Sequence, residues 1–286
     1  MSNLVTIEGN LRDAYKQLQP GTMLHADQLM NERRTNHDEL RKQKLYTADG
    51  GIYFLYGTQV PILAITREAY NPVLQNIDNA FEQLTSNQNY TVLFQDFEQA
   101  LAVPETVLVS LPNLRLSKHD AEFSYLSLGT TPAKYNQLNY EERKLAERVY
   151  AKGNDFVQNM KMLKDTGIGE TRIWVLNPDY VQKHAEKGAM ARASWLVSFG
   201  YDSRFDASVR YVDGRDMLDH DRVRGVRRGA SASEQEAPVG CDVQNSPEEK
   251  LLSPTQSELY GPSALEYYKQ LQKGALSGTV MDWKRR

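Results

Sequence analysis

The sequence predicts an α+β chain, and three observations carry that expectation. Strand-like runs broken by turn signals fill residues 44–68, KLYTADGGIYFLYGTQVPILAITRE. A long block with helical periodicity runs from Asn139 to Gly167, with Leu145, Val149, Phe156 and Met160 on one stripe. Near the other end, Phe205, Ala207 and Val209 alternate with Asp206, Ser208 and Arg210, the period of a strand with one apolar face.

In chain order, Asn10 caps a short helix LRDAYKQLQ that ends at Pro20-Gly21, and a second amphipathic helix spans about Ala26 to Leu40. Turn signals at Asp49-Gly50-Gly51 and Gly57-Thr58 divide 44–68 into a three-stranded meander. A helix from Pro72 to Leu84 follows, with Val73, Ile77, Phe81 and Leu84 on one face. Strands are expected at Thr91 to Phe94, Val107 to Leu111 and Phe123 to Leu128, with a mobile connection around Pro104. Asn139 and Glu142 have capping-box spacing, Gly153 marks a break in the helical block, and Gly167 suits its end. TRIWVL reads as a strand and Asn177-Pro178 opens a short helix to about Ala185. A strand is expected at Arg222 to Arg228, with the loop YVDGRDMLDHD before it. Residues 230–261 read as a linker or peripheral strap, and 262–286 as a C-terminal helix and tail with Leu265, Tyr268 and Leu271 as a docking stripe.

The chain has 286 residues, 40% of them apolar, which is enough for a core. Its net charge of −3 offers no global attraction to nucleic acid or anionic membranes. No apolar run is long enough for a transmembrane span, so membrane insertion is not expected. The N-terminus lacks the pattern of a signal peptide and Cys241 stands alone, so the expected origin is a cytoplasm. A chain acting outside the cell would leave by another route, such as inside a virus particle.

The most informative stretch is Leu196 to Gly229, 34 residues without one Lys, Glu or Gln, types that supply about one residue in five elsewhere. Solvent-facing segments normally use these types freely. Tyr, Ser, Arg, Asp, Gly and Phe remain, the chemistry of a recognition surface: Tyr and Arg supply area and directional bonds, Ser and Gly adapt.

Other chemistries leave weaker marks. His25, His37, His119, His184 and His220 show no metal-ligand spacing, so neither a metal nor a cofactor is expected. His119-Asp120 and Asp219, His220, Asp221 suggest acid-base pairs, but exposed loops explain them better. No nucleophile elbow occurs, and Gly167-Ile168-Gly169 follows a helix rather than a strand, so no catalytic residue is assigned. Nucleic-acid binding through 204–228 is the main alternative, since Arg192, Arg204, Arg210, Arg215, Arg222, Arg224, Arg227 and Arg228 are eight of the nineteen arginines. Interleaved Asp202, Asp206, Asp213, Asp216, Asp219 and Asp221 cancel most of that charge. An enzyme of unrecognised type, with a pocket around His119 or His184, is the other alternative.

Ser194-Trp195, Arg210 within ASVR, and Gly225-Val226-Arg227 resemble the framework of variable proteins of diversity-generating retroelements, with their GSW start, internal arginines and closing GFR. Here Ala193 replaces the first glycine and Val226 the phenylalanine. The resemblance covers Ala193 to Arg228 and extends to the kind found in archaeal viruses. In that family, adenines of AAC codons are replaced at random, which yields codons that never encode Lys, Glu, Gln, Met or Trp. Only Met217 in the stretch lies outside the permitted set.

The resemblance implies a C-type lectin fold in which two helices and short twisted mixed strands display a variable surface. Residues 1–115 become an N-terminal α/β part of the scaffold and 116–229 the lectin-like part, with a variable region at 196–224. It implies a non-enzymatic, hypervariable binding protein of receptor or adhesion type, located on a virion or cell surface, whose partner is a macromolecule, expected to be a protein. The expected ligand-binding residues are Val197, Ser198, Gly200, Tyr201, Asp202, Arg204, Asp206, Ser208, Tyr211, Asp213, Gly214, Arg215, Asp216, Asp219 and His220. Trp195, Phe199, Phe205, Arg210, Gly225 and Val226 are the expected framework. The calcium signatures EPN and WND of sugar-binding relatives do not occur.

Overall fold

A computed structural model describes residues 4–9, 23–35, 40, 45–56, 60–67, 78, 82, 90–92, 94–103, 105–185, 189–196, 209–213 and 223–228. For 4–9, 90–91, 94–96, 193–196, 209–213 and 223–228 it describes the backbone path alone. The strands are β1 (Leu4–Gly9), β2 (Leu45–Tyr56), β3 (Val60–Thr66), β4 (Tyr90–Thr91), β5 (Val107–Ser110), β6 (Leu116–Lys118), β7 (Phe123–Gly129), β8 (Glu170–Leu176), β9 (Met190–Leu196), β10 (Val209–Asp213) and β11 (Val223–Arg228). The helices are α1 (Ala26–Thr35), α2 (Phe94–Ala102), α3 (Pro132–Tyr135), α4 (Tyr140–Tyr150), α5 (Gly153–Asp165) and α6 (Pro178–His184), with a 3-10 turn at Leu111–Asn113.

All eleven strands join one mixed sheet, in the order β1-β11-β2-β9-β10-β8-β7-β6, with β3 and β5 branching from β2 and β4 from β9. Strands from both sides of position 116 therefore share one sheet. Most neighbours are antiparallel, but β10 runs parallel to β8 and β11 parallel to β2. The resemblance implied two helices; six have both ends among the described residues.

The helical block forms where its local signals lie. Asn139 accepts from the Glu142 N–H at 2.9 Å, and Glu142 accepts from the Asn139 N–H at 2.9 Å, a closed capping box. The block breaks just before Gly153: Ala151 and Gly153 adopt φ of 67° and 59°, so α5 sets off in a new direction. Leu145, Val149, Phe156 and Met160 are all buried, as the stripe requires. Gly167 follows α5 at φ 86°. Helix α1 buries Ala26, Leu29, Met30 and Arg33, one face at helical spacing, and packs on α4 and α5. Asn159 of α5 donates to Tyr150 O at 2.9 Å and Asn31 Oδ1 at 3.0 Å, knitting three helices together. The Tyr150 hydroxyl lies 2.6 Å from Thr171 Oγ1 and ties α4 to β8.

Several expectations require correction. Asp49-Gly50-Gly51 is not a turn: β2 runs unbroken through it, so the three-stranded meander is a hairpin of β2 and β3, with Tyr56 opposite Val60. Gly50 and Gly51 extend the strand after an irregularity instead of reversing it, because Asp49 finds partners inside the protein. The expected strand Thr91 to Phe94 is the two-residue β4, and Phe94 begins α2, which buries Phe97, Ala100 and Leu101; TVLF alone cannot distinguish the two. Tyr211 to Asp213, read as loop, belong to β10. Strands β1, β6 and β9 and the short helix α3 carried no sequence expectation. The helices expected at 11–19 and 263–276 and the linker at 230–261 lie outside the described residues, as does most of 72–84.

Candidate ligand-display surface

Three of the expected framework residues, Trp195, Arg210 and Gly225, come from separate stretches and fall into one transverse row. Trp195 of β9 pairs with Tyr46 of β2 on one side and Arg210 of β10 on the other. Arg210 pairs in turn with Trp174 of β8, and Trp174 with Tyr125 of β7. Beyond Tyr46 the row continues to Gly225 of β11 and Ile7 of β1. Laterally paired residues share one face of a sheet, so Trp195, Arg210 and Gly225 belong to a single line across it. Val226 lies one step on, opposite Thr6.

At its described end this line is an aromatic cluster. The Tyr125 and His119 rings each lie 5.0 Å from Trp174, which is nearly buried, and the Arg172 guanidinium sits 4.7 Å over Tyr125. His119 lies 3.9 Å from Asp120 with both exposed, and His184 stacks on Tyr180 at 4.2 Å. These are the two histidines around which the enzyme alternative expects a pocket. Among the described residues, no group of His, Cys, Asp and Glu is arranged to hold a metal ion, and no helix is long and apolar enough to cross a membrane.

Both neighbours of β9 are irregular at the same level. Between Tyr46 and Gly50, β2 spends four steps against the two from Trp195 to Ala193, and β10 spends three from Arg210 to Asp213 against the same two. Such irregularities bend a strand and re-aim its side chains. In β2 the extra chain delivers Asp49 into the interior, where it is fully buried. Its Oδ2 accepts from the Ala26 N–H at 2.7 Å at the start of α1; its Oδ1 lies 3.3 Å from Arg148 Nη2 and 3.3 Å from His25 Nδ1. Burial pushes the Asp49 carboxyl upward, but Arg148, then His25 and Arg67, outweigh it and hold it down to about 2. Two further arginines are buried, Arg33 and Arg192, the second of which the nucleic-acid alternative counts among its cations. Arg33 donates through Nε to Leu40 O at 3.1 Å and is pulled down to about 9 by burial. Arg192 of β9 lies 3.6 Å from Glu122. Glu122 lies 70 positions before Arg192, and no local signal marks that pairing.

Strand directions place the candidate site residues. Leu196 pairs with both Val209 and Leu45, and Val223, opposite Gly9, lies two residues before Gly225 in the row. The C-terminal end of β9 and the N-terminal ends of β2, β10 and β11 thus lie at one end of the sheet, whereas β10 finishes toward the other. Of the expected ligand contacts, Tyr211 and Asp213 are on β10. Val197, Ser198, Gly200, Tyr201, Asp202, Arg204, Asp206 and Ser208, between paired Leu196 and Val209, lie outside the described residues. So do Gly214, Arg215, Asp216, Asp219 and His220, between β10 and β11, and framework candidates Phe199 and Phe205.

No protein-family model and no curated protein matches the chain. Among solved structures it is similar to one described as the accommodation of massive sequence variation in Nanoarchaeota by the C-type lectin fold. That likeness has a TM-score of 0.56 at 11% identity, covering 79% of this chain and 98% of that one. With the α+β composition and mixed sheet described above, the chain has the C-type lectin fold.

Proposed function

We propose that this protein is a hypervariable, non-enzymatic ligand-binding protein diversified by a retroelement, whose rigid sheet displays changeable side chains to a macromolecular partner, a protein. One observation carries the reading. The stretch lacking Lys, Glu and Gln coincides with β10, β11 and the two segments hung between β9, β10 and β11. Within it, Arg210 and Gly225 align with the preceding Trp195 in one row across the sheet. The main-chain pairs that hold these strands are sequence-independent, so the positions between them tolerate replacement. The structural neighbour, described as accommodating sequence variation, supports the same reading.

In this proposal the variable region is 196–224 and the contacts are the residues named above from Val197 to His220, including Tyr211 and Asp213. Residues 1–115 and 116–229 build the scaffold, 230–261 form a strap and 262–286 a terminal helix and tail. The place of action is a virion or cell surface, and an archaeal virus is the proposed source.

The decisive experiment sequences the surrounding DNA. A near-copy of the codons for Ser194 to Arg228, differing only at adenines and lying beside a reverse-transcriptase gene, is expected. Sibling copies rich in Lys or Glu at these positions would end the proposal. The interleaved Arg and Asp also predict no retention on heparin at moderate salt; tight retention would favour nucleic-acid binding through 204–228.

A further inference from the structure

The outer edge of β5 is closed by two side chains instead of a strand, and we propose that this clasp is what keeps the chain from pairing, edge to edge, with a second copy of itself. One edge of β5 pairs with β3, from Val107 opposite Ile65 to Ser110 opposite Ile62. Among the described residues, no strand pairs with the other edge. There the Ser110 N–H donates to Glu141 Oε2 at 2.9 Å, and Lys144 Nζ donates to Leu108 O at 2.5 Å. The C=O of one residue and the N–H two residues later face the same side of a strand, and each would engage a main-chain group of an added strand. The Lys144 ammonium stands where a donor N–H of that strand would be, and the Glu141 carboxylate where an acceptor C=O would be.

The clasp is itself held. Glu141 and Lys144 form an ion pair at 2.9 Å, and Lys144 lies 4.8 Å over the Tyr140 ring, which accounts for a tyrosine left 74% exposed. The next residues fasten the turn that leaves β5: Asn139 Nδ2 donates to Asn113 O at 2.8 Å, and Glu142 Oε1 accepts from the Arg115 N–H at 3.0 Å. The first turn of α4 thus spends its polar side chains on backbone groups of 108–115.

The edge needs such protection. VLVS is rich in strand-forming residues, and an open edge of that kind is a template for another chain. The occupant it fits is its own copy, run antiparallel about a two-fold axis, with Leu108 of one copy opposite Ser110 of the other. Such an isologous contact is self-complementary, and both polar groups of each edge are satisfied.

Sedimentation of the full chain across a concentration series tests this, with circular dichroism confirming that each variant is folded. The double variant Glu141→Ala, Lys144→Ala is expected to self-associate on the order of tenfold more tightly than the parent. Adding Ser110→Pro should reverse the gain: Ser110 has φ −79°, which fits proline, and its N–H points to the open edge. Lys144→Ala alone leaves the capping box intact, frees only the Leu108 carbonyl and should give a smaller gain. Should the double variant not fold, this single variant gives the reading. Folded variants with the parent's mass throughout, association that survives Ser110→Pro, or a parent whose own association Ser110→Pro weakens would each overturn the proposal.

Discussion

Around α1, α4, α5 and the start of β2 particular side chains fix the packing, and β9, β10 and β11 join the sheet in a register of main-chain pairs. In the first, Asp49 joins Ala26, His25 and Arg148, and Glu142 serves Asn139 and Arg115, each a carboxylate meeting both a backbone N–H and an arginine. In the second, the defining observations are register pairs, Trp195 with Tyr46 and Arg210, Arg210 with Trp174, Gly225 with Tyr46. Register uses N–H and C=O groups that every residue but proline carries. Under the proposed function, changeable side chains belong to this second region, because register pairs can persist when a side chain is replaced.

The largest effects test the first region. Asp49→Ala leaves Arg148 buried beside a missing carboxylate and uncaps α1, so it should lower stability by about 3 to 5 kcal/mol in a denaturant titration. Within the display region, Trp195→Ala should cost a similar amount, about 3 to 5 kcal/mol, because the proposal makes it framework. A loss as small as that of a display residue would erase the distinction. Acid offers the next test. The Asp49 carboxyl is depressed from 3.8 to about 2 in the folded state. Its contribution is therefore complete above about pH 4 and is lost as pH falls through 2, a change of about 2 kcal/mol. Asp49→Asn should remove that slope from the stability-pH curve; an unchanged slope would place acid sensitivity elsewhere. Glu142→Ala opens the capping box and should cost about 1 to 2 kcal/mol of thermal stability. The smallest effect belongs to Tyr201→Ala, which should change stability by no more than about 0.5 kcal/mol. Once a ligand is in hand, the same variant should weaken binding by about 1 to 2 kcal/mol. Equal destabilisation by Tyr201→Ala and Trp195→Ala would show that the two regions do not differ in kind.

Legibility in the sequence followed the same division. The capping box at Asn139 and Glu142, the break before Gly153, the end at Gly167 and the short helix after Asn177 were all readable, since their partners lie within a few residues. Val107–Ser110, Phe123–Gly129 and Val223–Arg228 were visible as strands, but Leu4–Gly9 was not, although it pairs with β11 more than 200 residues later. Asp49-Gly50-Gly51 was misread because a turn signal is local, whereas Arg148 lies 99 positions away. The motif residues Trp195, Arg210 and Gly225 belong to one resemblance, but nothing in their spacing announces a common row.

The amino-acid order alone settled the α+β class, the helical block with its caps and break, and the compositional gap from Leu196 to Gly229, because these are properties of neighbours along the chain. Three-dimensional packing decided the pairing order of the eleven strands, the single row through Trp195 and Arg210, the inward turn of Asp49 and the closure of β5 by α4. Those features depend on groups that meet only after the chain has closed long loops, and periodicity carries no information about which distant group will be met.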